Sequence, residues 1–94
     1  MDTMLTMLKT DLGIRTSTAY DVRLNQLLTA AQQAIRDEGA SDLDASDPLD
    51  MQIIVMYAAW LWRRRDEMIG MPRMLRLALN NRVFSEVAGS DGDG

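Results

Sequence analysis

The segment from Met51 to Trp62 reads MQIIVMYAAWLW, with Gln52 the one polar residue in twelve. It is too long and too evenly apolar for a half-exposed helix, so a fold must cover it on several sides. As a helix it is about 18 Å long, against a bilayer hydrocarbon core of roughly 30 Å, which is too short to span a membrane. It ends abruptly in Arg63-Arg64-Arg65. One chain of 94 residues has little material for such cover, because a domain this small hides only about 60–65% of its unfolded surface. Part of the run is expected in the core of its own domain, where a central helix touches others on about three sides, and other copies of the same protein are the expected source of the rest of the cover.

The rest of the chain reads as helices joined by short connections. A first helix runs from about Thr3 to Leu12, with Met4, Leu8 and Leu12 at i+4 spacing and Gly13 as its stop. The polar loop Arg15-Thr16-Ser17-Thr18 offers capping hydroxyls to a second helix. That helix places Leu24, Leu27, Leu28, Ala31, Ala34 and Ile35 on one face, has Asp21 in its first turn, and stops at Gly39. Asp47 as N-cap, Pro48 at N1 and Asp50 at N3 start the third helix, which carries the apolar run to about Met68. Gly70-Met71-Pro72 breaks it, since the residue before proline avoids helical geometry. Pro72 at N1 opens a fourth helix with a Leu75, Leu79, Val83 stripe, widened by Met74 and Ala78. Asn80-Asn81 weakens this helix, placing its end between Asn81 and Val87. The fold class is all-α: a small bundle of about four helices in one domain (1–88), followed by a flexible tail (89–94, GSDGDG).

Composition removes several function classes. There is no Cys, hence no disulfide, thiol nucleophile or sulfur-bound metal. There is no His, the commonest general base and zinc ligand. The expectation is a protein that is not an enzyme and has no cofactor, catalytic residue or metal site. The acids Asp42, Asp44, Asp47 and Asp50 do not make a calcium loop, for want of the turn glycine and the closing Glu. The eight methionines read as adaptable packing. The start, MDTMLTMLKTD, carries early acids and no basic leader, so a soluble intracellular protein without a signal peptide is expected.

Charge is distributed unevenly. Ten basic and fourteen acidic residues give a net charge of −4, which disfavours non-specific wrapping of nucleic acid. Residues 37–50 hold six acids and no base, while residues 63–82 hold six arginines against Asp66 and Glu67. Nine of the ten cations are arginine, whose flat, weakly hydrated head suits ordered interfaces. Trp60 and Trp62 lie about 200° apart on a helix, so one is expected in the core and the other against a partner or under an arginine. Asp66 and Glu67, at i+3 and i+4 from Arg63, are its expected local partners. Candidate interface residues are Trp60, Trp62, Arg63, Arg64, Arg65, Arg73, Arg76 and Arg82, facing the acids Asp42, Asp44, Asp47 and Asp50 of a neighbouring subunit. Arg73, Arg76 and Asn80 on one face of the fourth helix leave open an alternative, a small helical DNA-binding regulatory protein.

The order of segments carries a resemblance. DLGI, then Tyr20-Asp21 entering RLNQLLTAAQQAI, Asp47-Pro48, MYAAWLWRRR and MPRMLRLALNNRVF resemble the head–tail connector (adaptor, or head-completion) proteins of tailed bacteriophages. The likeness covers residues 4–84. It rests most on Met56–Arg63 and on Met71–Arg82, and no single piece is a chemical signature. The resemblance implies a structural protein of the virion, made in the host bacterial cytoplasm. About a dozen copies would form a ring below the portal, joining head to tail and extending the DNA channel. Its implied partners are itself, the portal protein and a downstream connector or tail-completion protein. DNA would pass through the ring without sequence-specific binding, and no membrane is involved.

Overall fold

Glycines and one Asp-Pro pair punctuate the chain where local chemistry demands. The computed structural model describes residues 2–64 and 70–93, with side chains at 3–64 and 70–86. Four helices follow one another: α1 (Asp2–Leu12), α2 (Asp21–Asp37), α3 (Pro48–Arg64) and α4 (Arg73–Asp93). The third helix's end, expected near Met68, lies outside the described residues.

Both glycine stops close as Schellman motifs, in which a left-handed residue lets two amides turn back onto the last carbonyls. After α1, Gly13 (φ 76°) donates to the Thr10 carbonyl at 3.2 Å and Ile14 to that of Lys9 at 3.0 Å. After α2, Gly39 (φ 131°) donates to Arg36 at 3.0 Å and Ala40 to Ile35 at 3.4 Å. A Cβ at Gly39 would lie 2.9 Å from a Val83 methyl, so α4 packs closely against this turn. Asp47 caps α3 as its sequence position implies, its carboxylate accepting from the Asp50 amide at 3.0 Å.

Other starts differ from expectation. Tyr20 is the N-cap of α2 and no side chain caps it. The Ser17 hydroxyl is instead taken by the Ala19 amide, and Asp21 supplies the negative charge while pairing with Lys9 of α1 at 2.9 Å. Pro72 precedes α4 rather than occupying its first turn, with its carbonyl accepting from Arg76 at 3.0 Å. The Asn80-Asn81 pair does not end α4, which continues as helical backbone through Asp93. Both asparagines are exposed while Leu79 and Arg82 on either side are held by packing and ion pairs, and those contacts outweigh a few tenths of propensity. The tail expected at 89–94 thus starts as helical backbone.

The core assembles around α3, which packs against α2, α1 and α4. Leu8, Leu24, Leu28, Ile35, Ile54, Leu75 and Leu79 are fully buried. From the apolar run Ile53, Ile54, Val55, Tyr57, Ala58 and Ala59 are buried, and Met51, Met56, Trp60, Leu61 and Trp62 are packed partly against them. The subunit therefore supplies the cover for the buried part of the run, and Met51, Met56, Trp60, Leu61 and Trp62 stay half-buried. A helix with neighbours on three sides needs little more. The most exposed large apolar side chains lie elsewhere, at Leu49, Met74, Leu77 and Phe84, with Tyr20 and Val22 around the start of α2. Met74, read as part of the core stripe, is 75% exposed because it stands about 100° from Leu75 around α4. The molecule is a slab of 48 × 28 × 17 Å, thin enough that several helices keep one face outward.

Candidate interaction surface

The two blocks of opposite charge meet first within the subunit. Arg82, on α4, reaches back to the start of α3: its Nε donates to Asp50 Oδ1 at 2.8 Å and its Nη2 to Asp50 Oδ2 at 3.3 Å. The same Nη2 donates to Asp42 at 3.2 Å, and Nη1 donates to Glu86 one turn along α4 at 3.3 Å. Asp50 is buried, and its Oδ2 also accepts from the Asp44 amide at 3.0 Å. Glu86 in turn accepts from the Ser41 hydroxyl and from the Asp42 amide. One guanidinium thus ties α4, the 40–47 loop and the first turn of α3 together. Within the subunit, Asp50 and Arg82 are latch residues turned inward. The physical reason is proximity: the loop that carries the acids leads directly into α3, beside α4. Glu86, which the sequence analysis did not single out, completes the latch; its i+4 spacing from Arg82 was the available signal.

Hydrogen bonding with Glu86, then with Arg82, holds the Asp42 carboxyl below its ordinary value of 3.8. Bonds from the Ser46 hydroxyl and amide do the same for Asp44. The Arg82 guanidinium is raised above its ordinary value, chiefly by Asp50, and stays charged at any accessible pH. Depressed carboxylates add stability that is complete above their unfolded value of 3.8 and lost as pH falls through their lower folded values. Thermal melts followed by circular dichroism should be flat from pH 7 to about 5 and drop below about pH 4. A melting temperature unchanged down to about pH 2 would contradict this.

The remaining predicted residues are spread over two further places. Trp60 stacks edge-on against Tyr57 at 5.4 Å, under the Arg64 guanidinium at 4.9 Å from its ring centroid. Trp62 meets Tyr20 edge-on at 5.3 Å. Neither tryptophan fills the deep core; both are half-buried beside their own chain's aromatic partners. Trp60 does lie under an arginine, as one of the expected arrangements has it. Arg63 reaches across to Asp11 of α1 at 3.4 Å, while Arg65, Asp66 and Glu67 lie outside the described residues. Arg76 pairs with Glu38 at the end of α2 at 3.3 Å, and both side chains are substantially exposed. Burial raises the Tyr57 phenol above its ordinary value, with the charge of Glu38 adding to the effect.

No family model, curated protein or solved structure matches the chain. Its surface is therefore read from its own chemistry. Between α3 and α4 runs an open groove of about 830 Å³. Ile53, Met56 and Ala78 supply its apolar lining, Leu49 stands at its lip, and Asp44 and Asp47 lie on its rim. Around the far side of α4, Met74, Leu77 and Phe84 point outward beside the exposed Arg73 and Arg76. The sequence analysis named the arginines of this face and missed Leu77 and Phe84, although both fall off the Leu75–Leu79–Val83 stripe. Among the described residues no helix is long and apolar enough to cross a membrane.

Proposed function

We propose that the chain is a structural, non-enzymatic head–tail connector of a tailed bacteriophage, forming a homo-oligomeric ring below the portal that joins head to tail. The observation that carries this reading is the outward apolar face of α4, on a subunit that otherwise covers its own core. Met74, Leu77 and Phe84 are not needed to fold the monomer, and a cluster of exposed large apolar residues marks a protein contact. The resemblance across residues 4–84 selects the kind of assembly, and its two strongest segments fall on the second half of α3 and the start of α4. The lack of Cys and His, with charged groups engaged in ion pairs, supports a structural role over a catalytic one.

The same face weighs against the DNA-binding alternative. A recognition helix presents polar and cationic side chains to phosphates and base edges. Here Leu77 and Phe84 share that face with Arg73, and Arg76 is already paired with Glu38. Electron microscopy of virions made with and without the gene tests the proposal. DNA-filled heads that leak or lack tails are expected from the deletion, and normal tailed virions would overturn it. Salt-dependent duplex binding abolished by Arg73→Ala with Arg76→Ala would favour the regulator instead.

A further inference from the structure

We propose that the groove between α3 and α4 receives the outer face of α4 from a second copy of this chain. The inference rests on the self-assembly in the reading above and not on its phage role. The walls of the groove carry five carboxylates, from Asp42, Asp44, Asp47, Asp50 and Glu86, against the single guanidinium of Arg82. That guanidinium is consumed by the latch, so the groove is acidic at its rim and apolar on its floor. Its occupant must therefore bring apolar side chains flanked by cations.

The chain displays such a surface itself. On α4, Arg73, Leu77 and Phe84 fall within about 40° of one another around the helix axis, with Met74 and Arg76 to either side. Phe84 is 73% exposed, Met74 75% and Leu77 50%. Leu49, 71% exposed at the lip of the groove, is its apolar counterpart. The groove runs beside about two turns of α3, from Leu49 to Met56, and so takes about two turns of an entering helix. Arginine on the entering helix would meet Asp44 and Asp47, whose carboxylates otherwise serve only their own loop and cap.

Face and groove are different surfaces of one subunit, about a third of a turn apart around α4. The contact is therefore heterologous: each added copy leaves one groove and one face open until the assembly closes on itself. This property makes the inference testable by complementation. Leu49→Asp spoils the groove and leaves the face, whereas Leu77→Asp spoils the face and leaves the groove. Both positions are exposed, so both variants should melt like the wild type.

The experiment is sedimentation velocity on the full chain up to about 1 mM, at low and high salt. Wild type should associate with rising concentration, less so at high salt. Each variant alone should associate at least about tenfold more weakly. Mixed together they should form a one-to-one dimer that grows no further, since only one sound face and one sound groove remain. A wild type that stays monomeric throughout, self-association indifferent to both substitutions, or a mixture no better associated than its components would each overturn the proposal. So would a groove that binds a different protein while copies of this chain ignore one another. Failure here with tail-less virions in the deletion would leave the connector reading standing; complementation with normal virions would do the reverse.

Discussion

Replacing Arg82 with alanine is expected to lower the unfolding free energy by about 3 kcal/mol, the characteristic cost of removing one partner from a buried ion pair. The Asp50 side chain is only 6% exposed, and its closest charged partner is the Arg82 Nε at 2.8 Å. Truncation strands that carboxylate out of water and leaves Asp42 and Glu86 as neighbouring like charges with no cation between them. In a domain of this size the loss corresponds to a fall in melting temperature of roughly 15 °C. Arg82→Lys should recover only part of it, because a single ammonium cannot reproduce contacts made through Nε, Nη1 and Nη2. The double replacement Asp50→Leu with Arg82→Met should recover most of it, since no charge is then left buried without a partner. Urea titrations of the four proteins give the comparison. A change within about 0.5 kcal/mol for Arg82→Ala would place the pair among solvent-screened surface bridges and remove the latch.

The second large effect falls within the apolar run. Ile54→Ala should destabilise the isolated chain by about 3 to 4 kcal/mol, from lost burial and the cavity left behind. Ile54 is fully buried in a helix that packs against α1, α2 and α4 of its own subunit, so its neighbours cannot collapse into the gap without moving several elements. The effect should be the same at low and high protein concentration. A loss that appeared only at high concentration would mean that other copies, rather than the subunit, cover this helix. Leu77→Asp is the contrasting case: its exposure predicts little change in the melt and a large change in association.

Much of the fold was legible because its signals are local. Gly13 and Gly39 end helices by a backbone geometry that only the last turn needs to satisfy, and Asp47-Pro48 starts one within four residues. The Leu24–Ile35 face is read from a 3.6-residue period and is buried as read, apart from the half-buried Ala34. Boundaries were less secure at Asn80-Asn81, where propensity argued for an end and tertiary contacts at Leu79 and Arg82 held the helix together.

The candidate surface was legible only in part. Of the arginines singled out in the sequence, Arg82 meets two of the acids, Asp42 and Asp50, and does so within one subunit, over a separation of 32 residues from Asp50. Nothing in either segment states that α4 returns alongside the start of α3. Trp60 and Trp62 were rightly set on different sides of one helix, but their partners Tyr57 and Tyr20 were not foreseen. Tyr20 belongs to a distant part of the chain, while Tyr57 is a local neighbour whose spacing was visible.

The apolar run at 51–62 shows the division most clearly. By itself the sequence determined that this segment is a helix to be covered on several sides, because periodicity, capping and length act within a few turns. Only the tertiary structure decided who covers it. Three helices of the same subunit cover its buried part, and the most exposed apolar side chains fall at Tyr20, Val22, Leu49, Met74, Leu77 and Phe84. Burial and charge pairing are set by distances through space, and those exist only once the helices have packed.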